Sequence, residues 1–222
     1  MCTLGSDKCH ADAVIDHLVL ATPSVDATAA IVRDTWGVPV IAGGSHVGMG
    51  TRNELTGLGG TTYLEIVGPD SAQPAPGFPR PFGVDDLTVA SLVAWCARPT
   101  RPLAQVLERL SAEGIDLGPA TNMSRARPDG TLLQWQLTFP LLAPPHAGTL
   151  PFLIDWLDST HPTASLPHDA RLRRLTITHP QPDLVRTVLN ATGGSTSIAI
   201  EQGAPSLHAS VDTPRGVVSL GR

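Results

Sequence analysis

His17 and Glu65 are the two side chains whose types and surroundings best suit metal binding or proton transfer, since each lies in a short apolar run. Because side chains alternate across a β-strand, His17 shares a face with Ile15 and Val19, and Glu65 shares a face with Tyr63. A carboxylate on an apolar face is costly to bury unless it is hydrogen-bonded, paired or bound to a metal. The pair therefore predicts either a metal site or a hydrogen bond that merely satisfies two half-buried groups.

A glycine-rich segment, residues 42–53, lies between these two runs and carries His46 and Asn53. Its glycines allow a ligand to approach the main chain closely. It is not a phosphate-binding loop, because Gly48-Met-Gly50 lacks a third glycine and no lysine follows. We interpret His46 and Asn53 either as groups that cap the loop or as polar contacts to a small molecule.

The middle of the chain carries a second set of candidate contacts. Arg125 and Arg127 can clamp an anionic ligand, although exposed arginines in a hairpin are common. Trp135 lies in an alternating run with its apolar neighbours on one face, and Asp155 and Trp156 follow the next apolar run. The tryptophans predict either core packing or contacts to an apolar ligand.

Three segments of the chain share one plan, in which an apolar strand is followed by a proline, an amphipathic helix of about three turns and a glycine. The boundary residues are Pro23 and Gly37, Pro99 and Gly114, and Pro180 and Gly193. Proline near the start of a helix and glycine just past its end are typical of helix termini. Ser24 and Thr100 are the predicted caps of the first two helices.

Short β-rich runs follow each helix, so each segment predicts a βαβββ unit and the chain an α+β fold. The predicted units span residues 13–68, 87–160 and 170–222, with the first two forming one domain over 13–162. The third unit has no partner unit within the chain. We expect it either to pack back on the pair or to meet its twin in a homodimer.

Composition and charge argue against two kinds of partner, nucleic acid and membrane. The chain of 222 residues has a formal net charge of −5 and no clustered basic face, which argues against nucleic acid. No apolar run reaches the ~18 residues of a membrane span. The N-terminal residues lack the pattern of a signal peptide, so we expect a cytoplasmic protein. The spacings of Cys2, Cys9 and Cys96 match no zinc template, and Cys96 is interpreted as a buried apolar residue.

Taken together, these motifs resemble the vicinal oxygen chelate superfamily, and more closely its glyoxalase-like group, over about residues 13–180. The residues that carry the resemblance are Ile15-Asp-His17-Leu-Val, Gly43-Gly-Ser-His46-Val-Gly-Met-Gly-Thr-Arg-Asn53, Tyr63-Leu-Glu65, Ser124-Arg-Ala-Arg-Pro-Asp-Gly130, Pro151-Phe-Leu-Ile-Asp-Trp156 and His161-Pro162. The resemblance implies that two units pair side by side into an open barrel whose cleft holds a small-molecule ligand.

In metal-using members of the superfamily, the ligands come from the first and last strands of each paired unit. The resemblance therefore implies His17 and Glu65 as ligands of a divalent Zn, Ni, Mn or Fe ion. In the second unit the first-strand position falls near Val93, which cannot ligate. The last-strand position falls near Ile154 or Asp155, so Asp155 is the candidate third ligand.

The implied chemistry is of the lyase, isomerase or dioxygenase type, on a substrate whose two adjacent oxygens bind the metal. Glu65 would move a proton, and His46 would act as an acid/base or as a substrate contact. Asn53 and Arg125 or Arg127 would contact the substrate.

Two other functions remain open at this point. The first is a non-catalytic resistance or sequestration protein that traps an apolar ligand against Trp36, Trp135 and Trp156. The second is an interaction scaffold built from the repeats.

Overall fold

The computed structural model describes residues 15–126, 130–193 and 198–221. The elements of unit one are β1 (Ile15–Ala21), α1 (Val25–Trp36), β2 (Ile41–His46), β3 (Thr51–Gly57) and β4 (Tyr63–Pro69). Those of unit two are β5 (Ser91–Ala97), α2 (Leu103–Ala112), β6 (Thr121–Ala126), β7 (Leu132–Leu137) and β8 (Phe152–Asp155). Those of unit three are β9 (Arg171–His179), α3 (Pro182–Thr192), β10 (Ile198–Gln202), β11 (Ser206–Thr213) and β12 (Gly216–Gly221). The α+β class and the repeated βαβββ order are confirmed.

The predicted helix ends hold for α1 and differ for α2. The Ser24 side chain accepts a hydrogen bond from the Ala27 N–H, and Gly37 closes the helix with φ 71°. Helix α2 begins at Leu103 without a side-chain cap, so Thr100 is not its cap. The Thr100 N–H instead donates to the carbonyl of Thr192 at the end of α3, 3.0 Å away.

Units one and two form a single ring of eight strands in the order β1-β4-β3-β2-β6-β7-β8-β5. Within each unit the first strand runs parallel to the last strand. The barrel that the sequence predicts as open is closed, because β1 and β5 pair antiparallel along the whole of β1. Pairing of β2 with β6 completes the ring on the opposite side.

The barrel separates two apolar cores. Inside the ring, Val19 of β1 packs with Tyr63 and Trp135. Outside it, Leu18 and Leu20 pack under the helices, in a core that continues into unit three. The alternation of β1 between these two cores explains why every residue of this strand is buried.

Unit three has the predicted element order, but its strands pair in the order β10-β9-β11-β12. Its first strand, β9, therefore lies between β10 and β11, whereas the first strand of unit one pairs with the last. It packs back on the pair: α3 contacts α2, and β11 and β12 contact β5. The N–H of Leu172 also donates to the carbonyl of Leu58, 2.8 Å away. No helix within the described ranges has both the length and the apolar composition needed to cross a bilayer.

Candidate active site

A β-bulge at Asp16 brings a carboxylate beside the first candidate ligand, His17. Ile15 lies opposite Ala97 and His17 lies opposite Cys96, so Asp16 is an extra residue in β1 relative to β5. Simple alternation would send Asp16 and His17 to opposite faces, whereas the two side chains are in contact. The expectation that Ile15 shares a face with His17 is corrected, since Ile15 packs in the outer core.

Asp16 is a fully buried carboxylate that accepts three side-chain hydrogen bonds. Its Oδ1 lies 2.8 Å from Nδ1 of His17, and its Oδ2 lies 2.9 Å from Nε2 of His161 and 3.1 Å from Nε1 of Trp156. Burial acts to raise the pKa of Asp16, but the hydrogen bonds from His161 and His17 outweigh it and hold this pKa well below its usual value. Asp16 is therefore ionised and fixes the Nδ1–H tautomer of His17.

His17 turns its other ring nitrogen toward Glu65, with 3.6 Å between Nε2 and Oε2. Its ring stacks on Tyr63 with the ring centroids 4.7 Å apart. Nδ1–H of His17 donates to Asp16, so Nε2 is the ring nitrogen that faces the carboxylate. Two ligand atoms at this separation match neighbouring ligands of one cation.

Glu65 is held from its other side by an amide. Nδ2 of Asn53 donates to Oε1 of Glu65 over 2.5 Å, while Oδ1 of Asn53 accepts from Nη1 of Arg125 over 2.8 Å. These two contacts fix which way the Asn53 amide points. The buried Arg125 guanidinium is thus connected to the Glu65 carboxylate through one neutral residue.

His46 is a neutral neighbour of this carboxylate. Its Nδ1 lies 2.9 Å from Oγ1 of Thr51, and its Nε2 lies 3.1 Å from Nδ2 of Asn53 and 3.5 Å from Oε1 of Glu65. Because the amide nitrogen is a donor, Nε2 is the acceptor and Nδ1 carries the proton. Burial lowers the pKa of His46 below its usual value, against a smaller opposing effect of Glu65.

These groups line one end of a cleft inside the barrel. The cavity has a volume of about 50 Å³, within about 560 Å³ of empty space that includes its open mouth. His17, His46, Asn53, Glu65, Arg125, Trp135 and Trp156 all line it. The rest of the lining is mainly apolar, so the arrangement suits a compact ligand with one polar end.

The strand registers relate the positions of the two units. His17 lies opposite Tyr63, and in unit two Cys96 lies opposite Phe152. The counterpart of His17 is therefore Cys96, and the Val93 assignment from the sequence is corrected. The same registers match Glu65 with Ile154, Asn53 with Trp135 and His46 with Arg125.

The remaining predicted residues lie elsewhere. The Asp155 carboxylate accepts from the N–H of Leu157, 2.9 Å away, and lines a separate surface depression, so it is not brought to His17 and Glu65. Trp36 packs in the outer core. Arg127 lies outside the described residues. The sequence reasoning missed Asp16 and the contact of His161 with it; the Asp-His dipeptide was the available signal for the first.

The donor set includes a histidine with an orienting carboxylate behind it. The carboxylate of Asp16 behind the ring of His17 is the arrangement that orients histidine ligands in metal sites. In the described part of the chain, one trio of acidic, histidine or cysteine side chains offers ligand atoms within 4.8 Å of one another: Asp16, His17 and Cys96. This trio leaves out Glu65, so His17 and Glu65 are two candidate ligands of a divalent cation, to which neither His46 nor Cys96 adds a third donor at that separation.

Comparison with known proteins gives a family and a fold. The family described as "Glyoxalase-like domain" matches residues 15–193. None of the curated proteins compared matches the chain. A hypothetical protein from Staphylococcus aureus is 14% identical, with a TM-score of 0.64 over 86% of each chain.

Two further solved structures are more distant in fold. A Streptomyces coelicolor methylmalonyl-CoA epimerase variant in complex with 2-nitronate-propionyl-CoA is 18% identical, with a TM-score of 0.44 over 64% of this chain and 96% of its own. The Mn(II)-bound glyoxalase from Novosphingobium aromaticivorans is 10% identical, with a TM-score of 0.45 over 94% of this chain and 81% of its own.

Proposed function

Since this chain belongs to the glyoxalase-like domain family of the vicinal oxygen chelate superfamily, we propose that its barrel cleft is the active site of a metal-dependent enzyme for a small molecule with two adjacent oxygens. The observation that carries the proposal is the alignment of three groups. Asp16 holds Nδ1 of His17, and Nε2 of the same ring faces Oε2 of Glu65 at 3.6 Å. The proposed reaction is of the lyase or isomerase type.

In this proposal His17 and Glu65 hold a divalent ion, with Zn, Ni, Mn and Fe as the candidates. The ion, when bound, acts as a Lewis acid toward the substrate oxygens. Asn53 keeps the Glu65 carboxylate in place through its 2.5 Å hydrogen bond. Asp155 has no part in the site, because its carboxylate binds the turn at Leu157.

His46 is the proposed proton acceptor of the site, and Arg125 is the proposed contact for an anionic group of the substrate. The lowered pKa of His46 keeps its ring neutral at neutral pH, so Nε2 is available to accept a proton once the Asn53 amide shifts. Arg125 lies beside it at the junction of β2 and β6, and its positive charge favours an anionic substrate group. Arg127 stays a predicted substrate contact.

Metal binding and turnover test this proposal together. We expect the purified protein to bind one divalent ion per chain, measured by elemental analysis and calorimetry, and to convert a member of a panel of 2-oxo aldehydes, 2-oxo acids and catechols. The double variant His17→Ala/Glu65→Gln is expected to lose both properties. Its matched control is His208→Ala/Glu201→Gln, which changes the same residue types at exposed positions of unit three. Retention of metal and turnover by the first variant would refute the proposal.

A sequestration protein is the second candidate, because Glu65 is already hydrogen-bonded by Asn53 without any cation. In that case His17, Glu65 and His46 only stabilise the barrel. The same preparation distinguishes the two functions: a binder takes up its ligand without stoichiometric metal and releases it chemically unchanged. A homodimer and a cytoplasmic location stay predictions.

A further inference from the structure

We propose that the barrel cavity takes only the reacting end of the substrate, and that an uncharged aliphatic group of the same molecule binds in a depression between units two and three. Phe82 separates the two spaces. This inference rests on the proposed function, because it concerns the remainder of the substrate whose adjacent oxygens bind in the cavity. It also gives unit three a part in the binding site.

The cavity inside the barrel has room for only a few atoms of a substrate. Its volume is about 50 Å³. Since a buried water molecule needs roughly 10–15 Å³ of such space, the cavity takes about as many non-hydrogen atoms as three to five water molecules provide. Two adjacent oxygens and the carbons that carry them fit this space, beside His17 and Glu65. A larger group of the same molecule has to bind outside it.

A second, larger space shares a wall residue with the cavity. It is an open depression with a volume of about 410 Å³. Its walls come from residues 82–93, from Leu142 and Ala147 of the loop between β7 and β8, and from residues 205–207 of unit three. Because β11 contacts β5, the wall from unit three is held against unit two.

The lining of the depression determines the class of group that it takes. Nine of the twelve described residues that line it are apolar or glycine, and the other three are Asp86, Ser91 and Ser206. Since these twelve include no arginine, lysine or histidine, a negatively charged group would lose water there without gaining a counter-ion. Leucine, valine and proline side chains suit an uncharged aliphatic chain, whose burial is favourable in proportion to its apolar area.

Phe82 connects the depression with the cavity. Among the described residues that line the two spaces, it alone is common to both. Its ring packs against the ring of Phe152 in the barrel, with the centroids 5.9 Å apart, and its side chain is only half-buried. A substrate that extends from the cavity into the depression would therefore pass this ring.

The backbone at Phe82 favours a ring that changes position. Phe82 has φ 63° and ψ 12°, and Gly83 has φ 64°, so a kink interrupts the 3₁₀ segment Pro81–Asp86. A positive φ is rare and costly for a bulky residue, and residues held in this way are concentrated at binding sites. The strain is released when the segment leaves this conformation, which lowers the cost of displacing the ring.

A series of uncharged diketones tests the inference by calorimetry on the full-length protein equilibrated with Mn²⁺. The compounds 2,3-butanedione, 2,3-hexanedione and 2,3-octanedione share two adjacent oxygens and differ in the length of one alkyl chain. We expect the affinity to increase at least about tenfold from the first to the third, because the added CH₂ groups leave water. Equal affinities, or no binding of any member, would overturn the inference.

One variant removes the partition. In Phe82→Ala we expect the ratio of the affinities for 2,3-octanedione and 2,3-butanedione to rise at least about fivefold, because the longer compound no longer has to displace a ring. Phe78→Ala is the matched control, since it removes an exposed ring that lines neither space. A ratio that stays the same in Phe82→Ala would contradict the role of this residue.

A second variant fills the depression from unit three. Ser206→Phe places a ring among the lining residues, and we expect it to bring the affinities for the three diketones close to one another. The same substitution at Ser219, an exposed position of β12, is the control and should leave the series as it is in the unmodified protein.

A second copy of the chain is the alternative occupant of the depression. Light scattering of the unmodified protein and of Ser206→Phe distinguishes it from a substrate chain. If the substitution changes the particle mass and leaves the dependence on chain length unaltered, the depression is a contact between subunits and the inference fails.

Metal affinity and turnover, measured on the same preparations, keep this inference separate from the proposed function. If both depend on His17 and Glu65 but the three diketones bind equally, the inference fails and the proposed function stands. If the affinity rises with chain length but no metal binds, the aliphatic site stands and the enzymatic proposal fails.

Discussion

The two units that close the barrel contribute opposite chemistry to one cleft. At matched positions, unit one has His17, Asn53 and Glu65, and unit two has Cys96, Trp135 and Ile154. The order in which the strands pair is the same in the two units. At these matched positions one unit supplies polar groups and the other an apolar wall. The repeat thus provides the frame, and a few inward positions determine what each half does.

The largest loss of metal affinity is expected when a polar position of unit one is given the apolar residue of unit two. Glu65→Ile copies the residue at the matched position of unit two and removes a proposed ligand. We expect metal affinity to fall at least about 100-fold, because the loss of a ligand exceeds the effect of losing an orienting group. Calorimetry with Mn²⁺ measures it, with Ile154→Leu as the control that changes shape on the opposite wall. Similar losses in both variants would show that the two halves are not chemically distinct.

A smaller effect is expected from the bulge residue. Asp16→Asn keeps the shape but removes the charge that holds His17 and His161, and we expect metal affinity to fall about 10- to 100-fold. Asp155→Asn is the matched control, since this carboxylate caps a turn outside the cleft. Metal titrations of both variants at one pH give the comparison. If Asp155→Asn had the larger effect, the original assignment of Asp155 as a ligand would be restored.

The smallest effect is expected in how stability depends on pH, because His46 titrates near neutral pH and Arg125, at the matched position of unit two, does not. His46 has a folded-state pKa below its ordinary 6.5, so the unfolded chain takes up a proton first as the pH falls. The stability contributed by the neutral ring is therefore present above about pH 6.5 and is lost as the pH falls toward the folded-state pKa. We expect the free energy of unfolding to be lower at pH 5.5 than at pH 7.

Urea unfolding midpoints across this range measure that drop, and His46→Gln should flatten the curve. His146 contributes in the same direction, because burial also lowers its pKa. His146→Gln therefore serves as the second variant, and exposed His208→Gln as the neutral control. A curve for His46→Gln identical to that of the unmodified protein would show that unit one carries no such titrating group.

Local patterns in the sequence predict the cleft further than they predict its supporting contacts. Alternation along β1 and β4 is enough to predict that His17 and Glu65 point into the barrel. The prolines before the helices and the glycines after them are enough to predict the three repeats. The bulge at Asp16 has no local signal, because it is defined by the pairing with β5. Its contact with His161 joins residues far apart in the chain, so spacing cannot reveal it.

Short strands also make faces hard to assign. In β8, a shift by one residue exchanges Ile154 and Asp155 between the cleft and the outer surface. The sequence left both open, and the pairing of Leu137 with Ile154 decides between them. The strand order of unit three is a similar case, since the same series of elements as in units one and two pairs in a different order there.

The two junctions between units one and two differ greatly in length. On one side β1 pairs with β5 from Ile15 to Ala21, while on the other, in the described residues, β2 meets β6 at the single pair His46 and Arg125. Separating strands is easiest where few backbone hydrogen bonds are broken. The short junction is therefore where the strand pairing of the barrel is expected to break first, and its amide hydrogens should exchange before those between β1 and β5.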